Sequence, residues 1–582
     1  MRLAKLTTAF IFVFAIFALS AACGKTAPSS EYEGAGDRVG MTADMEISPS
    51  YSAAEKAETL ARKADFPDIP YENDQWQNYV NGSGNYTYVI LGDYCSYVVG
   101  EAGENVIIDN SQNVITIAQP GYYRFVGTLS CGSIVAEADG NVRIILDGVR
   151  LTGKDGAPIR FYNKGQKVVT FAEEKENIVS APASVSDSNQ NRENPSCAIY
   201  SESELTLNGK GTGEINGKKE RAIVCRSTLK IKTVELEIRS KTDAVTAMNV
   251  VIKNTSLVID STAGSAIIAE RYGFLTKEGY VVISDSDVRA VSAFDAISAT
   301  DLVYVTGSDS FLSICSGNGS SSVLYDEIYS RKGIVSDGCV CIEEGGVYID
   351  SLDDSIKCSG ETLLSGDFLT ASTKKTAVNS VLTEIKGGRT EIARSSVGIK
   401  GCRLSLSDGS VKITSNENGI NLSAINGNDS VCALVMKGAY VDVSTCGTCI
   451  KTDGKILVSG GSLWCDSSPA PSEPAVIANE GFRTDGGRIM IIAGLGMIQT
   501  PVKQSMQDSV TISFKRGISS HSTVSLKYDD VVLFSREVVN KVGSLFFTCP
   551  NFSRDYDCSL AINGSVVKKF RLSQTFTEKG VA

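Results

Sequence analysis

Between residues 355 and 420 a small residue followed by Ile or Val returns four times after a polar turn: Ser355-Ile356, Ala377-Val378, Gly398-Ile399 and Gly419-Ile420, spaced 22, 21 and 21 residues apart. Short runs such as Val347-Ile349 and Val411-Ile413 alternate apolar with polar residues, and Gly345-Gly346, Gly387-Gly388 and Gly460-Gly461 mark corners. A period of two is the pattern of a strand with one face buried, whereas a helix repeats at about 3.6 residues. Glycine at a corner supplies the positive φ that a tight turn demands. Working outward, the pair recurs at Gly333-Ile334, Ala296-Ile297, Ala266-Ile267, Ala244-Val245, Ala222-Ile223 and Ala198-Ile199 on one side, and at Cys449-Ile450 and Ala475-Val476 on the other. Several intervals stay near 22 residues; the longer ones, up to 37 between Ile297 and Ile334, read as loop insertions in a stack of like units.

A strand repeat of this length makes a coil of about three short strands, each coil stacked on the last at the ~4.8 Å spacing of a β-ladder. The Leu-rich consensus with Asn that marks leucine-rich repeats is missing. The expected fold is all-β: a right-handed single-stranded parallel β-helix over residues 75–505, then a small C-terminal β-sandwich-like module over residues 508–582. In that module the repeat stops, and Val510–Phe514, Thr523–Tyr528, Val531–Phe534, Ser544–Phe547 and Ser559–Ile562 read as short strands. Most of the 16 cysteines fall inside strand or turn repeats, where a thiol packs as a small hydrophobe. Cys549 and Cys558 differ: they flank a turn of the terminal module and are placed to bridge neighbouring strands in an oxidising compartment.

Composition narrows the chemistry. The 582 residues hold one histidine, His521, so a Ser-His-Asp triad or a multi-histidine zinc site has little to build on. Lys and Arg number 56 against 67 Asp and Glu, a net charge of −11, and no basic stripe offsets it; nucleic acid is not an expected partner. At the N-terminus Arg2 and Lys5 precede an apolar run from Leu6 to Leu19, then Ser20-Ala21-Ala22-Cys23. That run is short for a membrane span and suits a cleaved export signal over residues 1–22. Cys23 after small residues is similar to the lipidation site of bacterial lipoproteins, although Leu19 stands four rather than three residues before it. Residues 23–74 are polar, with a short helical patch around Ala53–Ala64, and read as a flexible tether. The expected state is an exported monomer held at the outer face of the cell membrane by its lipid alone.

The segments Ile115–Leu129, Val142–Val149, Gly156-Ala157-Pro158-Ile159 and Lys455–Gly461, with the turn repeats, resemble bacterial carbohydrate-binding domain-containing proteins over roughly residues 100–505. The resemblance implies exported β-helices related in fold to pectate lyases, with plant cell-wall polysaccharide and calcium as ligands. In that family the turn before each Ile commonly carries acids. Here acid survives at Asp243, Asp295, Asp353 and Asp354, while other turns read Gly264-Ser265, Lys375-Thr376 and Ser396-Val397. Calcium takes about six to eight oxygens, so Asp353 and Asp354 would need a partner from an adjacent coil, such as Asp337. Two readings stand: Asp243, Asp295, Asp337, Asp353 and Asp354 as candidate Ca2+ ligands, or solvated turn acids that cap strands.

Aromatic rings serve as sugar platforms because a flat ring buries the apolar face of a pyranose. Alternation sends Val347 and Ile349 inward, hence Tyr348 outward beside Asp350. It likewise sends Tyr440 and Asp442 outward, and Trp464 and Asp466 in the next coil. The expected carbohydrate site is an outward column of Tyr440 and Trp464, with Tyr348, Asp442 and Asp466, unless these rings pack under a loop such as Ser467–Glu473. The expected function is non-catalytic cell-surface binding of a plant cell-wall type polysaccharide, cellulose or pectin, with calcium assisting. The competing readings are a calcium-dependent lyase of pectate-lyase type, approximated by Asp353, Asp354, Lys357 and Lys400, and an adhesin or structural spacer.

Overall fold

The computed structural model describes residues 86–581, apart from residues 101–103, 184–194, 272–277, 324–327, 425–430, 468–473, 495–497, 530, 551 and 556. The export signal, Cys23, the tether and most of the loop 467–473 lie outside the described residues. Among the described residues there are strands and turns and no helix.

The apolar residue after each turn belongs to one parallel ladder. Ile115, Ile134 and Ile159 lead into Ile199, and Ile223, Val245, Ile267, Ile297, Ile334, Ile356, Val378, Ile399, Ile420, Ile450 and Val476 follow rung by rung. Each is at most 1% exposed. All twelve positions read from the sequence are in register, and three further coils extend the ladder toward the N-terminus. At ~4.8 Å per step it runs roughly 65 Å. Burying each such side chain is worth about 1.5–3 kcal/mol, set against the entropy of ordering its coil.

Two more ladders complete the coil. One passes through Leu229, Val250, Val281, Val303 and Val340, the other through Leu257, Val288, Leu312, Val347 and Leu369. The corner before the third strand is where glycine is needed: Gly345, Gly388 and Gly409 have φ of 74°, 63° and 88°. A Cβ on Gly388 would lie 1.7 Å from the Gly366 carbonyl oxygen, so no side chain fits there. On the outer side of the second ladder, Val251, Val282, Tyr304, Cys341 and Leu363 form a separate apolar cluster, each at most 6% exposed. Cys225, Cys358, Cys449 and Cys465 pack in the main core, and burial pushes the Cys225 thiol up to about 12.

The last coil strand, Phe482–Ala493, pairs antiparallel with Val542–Thr548, which continues into Ser509–Ile518 and Phe576–Val581. Thr523–Tyr528, Val531–Glu537, Cys558–Ile562 and Ser565–Phe570 form a separate four-stranded antiparallel sheet. Val510, Ile512, Leu526, Phe534, Phe547 and Leu560 fill the space between the two sheets, joined by Met490 and Ile492 from the outer side of the last coil. Cys549 and Cys558 both lie in this core. The module is a sandwich, one sheet of which is continuous with the β-helix.

Candidate functional site

The outer side of the third ladder forms a flat face. One outward column runs Asp287, Phe311, Gly346, Phe368, Arg389, Ser410 and Tyr440, and the next runs Arg289, Ser313, Tyr348, Thr370, Glu391, Lys412, Asp442 and Trp464. Phe311 and Phe368 are two coils apart, yet their ring centroids are 6.3 Å apart at 49°. They meet because Gly346 stands between them; a Cβ there would come within 2.3 Å of the Phe368 ring. Tyr348, two residues along the strand of Gly346, is the diagonal neighbour of both rings. Phe311 is 36% exposed, and Phe368 and Tyr348 are half-buried. Burial pushes the Tyr348 phenol above its ordinary range, with Asp350 and Cys315 adding to it. Asp350 accepts the Ser320 N–H at 2.7 Å.

Charged pairs bound this apolar patch. Arg289 holds Asp287 at 3.1 Å on one side; Arg389 and Lys412 share Glu391 on the other. Rings that present a flat apolar surface beside charged hydrogen-bonding groups can stack a sugar ring and bond its hydroxyls. Tyr348 stands on the face where alternation puts it. Phe311 and Phe368 went unnoticed in the sequence, although Leu312 and Leu369 give them the same outward parity. Each abuts a corner residue, Ser310 or Asp367, and so reads as part of a turn.

Tyr440 and Trp464 do not share a column, which corrects the expected site. Tyr440 pairs with Ser462, and Trp464 pairs with Asp442. The paired glycines Gly460-Gly461 occupy the corner that Gly438-Ala439 fills one coil earlier, so Trp464 falls two residues further along its strand. The Trp464 end of the face is also covered. Its ring meets Phe534 edge-on at 5.9 Å, with the guanidinium groups of Arg488 and Arg536 at 5.6 and 5.7 Å. Arg536 also bonds Asp442 at 2.7 Å. Asp466 is fully buried and accepts the Val539 N–H at 2.8 Å and the Asn540 amide at 3.0 Å. Burial raises the Asp466 carboxyl above the usual range, against the opposing pull of those bonds and of Arg536. The roof is the C-terminal module. Tyr440, 45% exposed, stays open at its edge.

The turn aspartates have structural work. Asp243 accepts the backbone N–H of Ser265 at 3.0 Å, Asp295 that of Lys332 at 2.7 Å, and Asp354 that of Thr376 at 2.9 Å. In all three the donor is the equivalent turn residue one coil on, two positions before the ladder residue. Asp295 also takes the Ser330 hydroxyl, and Asp354 the Asn379 amide at 2.8 Å. Asp353 lies between the ammonium groups of Lys332 and Lys375, at 3.3 and 3.5 Å. Asp337 is exposed and reaches the Ser359 hydroxyl at 3.5 Å. Among the described residues no three His, Cys, Asp or Glu side chains converge as a metal-ligand set. At Asp243, Asp295, Asp353 and Asp354 protein donors or lysine ammonium groups engage oxygens that calcium would need, and no further carboxylates converge there, so these residues do not fit the cation. Of the lysines expected in a lyase site, Lys357 donates to Asn379 at 3.2 Å, and Lys400 stands two coils away.

Residues 111–377, a little under half of the chain, match the sequence model of a family described as carbohydrate-binding domain-containing protein. A curated protein of the same description from Acetivibrio thermocellus is 23% identical over 156 residues, which cover 24% of this chain and 54% of that protein. The chain thus spans about half the length of that relative. A solved structure described as a polysaccharide lyase-like protein from C. thermocellum, a gadolinium derivative, aligns with a TM-score of 0.35 and 19% identity over 48% of this chain and 96% of its own. Both sequence comparisons name the family that the motifs of residues 115–159 and 455–461 resemble: over residues 111–377 this chain is similar to carbohydrate-binding domain-containing proteins.

Proposed function

We propose that this chain binds polysaccharide without catalysis, on the outer face that carries Phe311, Tyr348 and Phe368. The observation that supports this reading is the ring cluster itself. Outward aromatics on a charged, solvated sheet have no core of their own to fill, and the coil spacing of ~4.8 Å is comparable to the length of a sugar unit. A glycan lying along the rod axis would cross the patch over about two units. The family match to residues 111–377 agrees with carbohydrate as ligand. Against the lyase stands the engagement of Asp353, Asp354 and Lys357 with protein partners. Export and lipidation at Cys23 would display the rod at the cell surface and belong to the same proposal.

The test incubates the protein with insoluble cellulose and with pectin, following depletion from solution together with the absorbance of unsaturated sugar product. Depletion by at least one polymer is expected, with no absorbance gain, and with no change on adding chelator. Equal depletion of the Phe311→Ala, Phe368→Ala double variant would remove this face. An absorbance gain would make the chain a lyase.

A further inference from the structure

A second site, this one concave, lies near the N-terminal end, on the outer side of a different ladder. Tyr86, Tyr122, Arg143 and Val168 occupy one outward column on successive coils. Tyr123 points into the core, so Tyr122 points out and is 38% exposed. The Tyr86 ring meets it edge-on at 5.9 Å, and the Arg143 guanidinium lies 5.1 Å from its centroid. Ring and guanidinium are therefore held in a fixed mutual arrangement. Arg143 is 5% exposed, so its charge acts in a poorly solvated wall, where an ionic contact is worth more than in water.

Tyr122, Arg143 and Val168, together with Pro120, Asn141 and Gln166, line a groove of about 310 Å³. The Gln166 N–H fixes the Asn141 amide oxygen at 2.8 Å, which leaves the Asn141 NH2 group as a donor at the rim. Small-molecule sites begin at about 300 Å³, so the groove has room for a sugar ring. The cleft beside Gln112, Lys154 and Arg160, about 120 Å³, does not.

We infer that this groove is a separate subsite for a sugar residue bearing an anionic substituent, carboxylate or sulfate, stacked on Tyr122 with the anion toward Arg143. The planar fork of a guanidinium matches either oxyanion. The inference rests on the polysaccharide reading above and adds the class of sugar.

Calorimetric titration of the full chain with a galacturonic acid trisaccharide, its carboxyl-reduced neutral counterpart and a sulfated galactose trisaccharide tests it. At least one anionic probe should bind about ten-fold or more tighter than the neutral one, and the difference should shrink as salt rises. The tighter anionic probe identifies the substituent. Arg143→Gln should abolish the difference, Tyr122→Ser should weaken all three probes, and Asn141→Ala, which removes the donor at an exposed rim position, should weaken binding. Equal affinity of the parent for all three probes overturns the inference, as does an anionic preference that persists in folded Arg143→Gln. If Arg143→Gln does not fold, unchanged anionic affinity in both Tyr122→Ser and Asn141→Ala overturns it. Depletion by cellulose without any anionic preference leaves the reading above standing and removes this one; a parent that binds no polymer and no probe removes both.

Discussion

Two stretches of one outer face, the coils around Phe311–Phe368 and the last coils around Trp464–Asp466, obey the same alternation and end in opposite surroundings. In the first, the outward rings stay at the surface between charged pairs. In the second, Phe534, Arg536, Val539 and Asn540 of the C-terminal module close over the ring and the carboxylates. The period of two separates the inside of a coil from its outside, but it does not separate dry from wet. The covered cluster of Val251, Val282, Tyr304, Cys341 and Leu363 makes the same point on another side of the rod.

The largest effect should come from what the two stretches share. Ile399→Asp puts a charge into the ladder that supports both and should cost several kcal/mol, read as a fall in urea midpoint or loss of the folded protein. Next is Trp464→Ala. Half-buried under the module, the ring should cost about 2–3 kcal/mol on truncation, with polysaccharide depletion unchanged. Loss of depletion at an unchanged melting temperature would reverse the roles assigned to the two stretches. The Phe311→Ala, Phe368→Ala variant should do the opposite: polysaccharide affinity falls by about five-fold or more, from about 0.5–1.5 kcal/mol per ring, while the melting temperature barely moves. Asp466 gives the smallest effect. Its carboxyl is raised in the folded state, so the native protein holds that proton more tightly than the unfolded chain. Its contribution to stability is therefore greatest below the unfolded carboxylate value and is lost as pH rises through the raised one. Asp466→Asn should flatten that part of the pH–stability curve; an unaltered slope would show that Asp466 does not titrate under the roof.

How much of this was legible follows from what sets each feature. Twelve of the fifteen rungs, Ile199 to Val476, are legible because a stacked core repeats one steric demand in every coil, and the sequence repeats with it. The strands of the terminal module show through alternation alone, because one face of each sheet packs on the core between them. The register between Tyr440 and Trp464 was not legible, because alternation fixes only which face a residue takes: a slip of two residues leaves both rings outward, and only the ladder sets Tyr440 against Ser462. Nor was the roof. Asp442 and Asp466 look like solvated acids until Arg536 and Asn540, 94 and 74 residues further on, arrive beside them. The turn acids carried two readings, and the choice depended on a backbone N–H one coil away that no local pattern encodes.

The antiparallel strand Val542–Thr548 on the edge of Phe482–Ala493 also bears on what meets the open end of such a stack. A stack of parallel coils ends in a row of N–H and C=O groups with the same spacing as every rung below, a template for another chain. Contact between the last coil of one copy and the first of the next would be head-to-tail, and such contacts do not close; they grow into fibres. From Ile489 opposite Thr548 to Ala493 opposite Ser544, that template is taken by a strand of reversed direction. At the other end Tyr97–Val99 runs antiparallel to Tyr86–Leu91. In both places an edge that another copy could extend is occupied by a strand of the same chain.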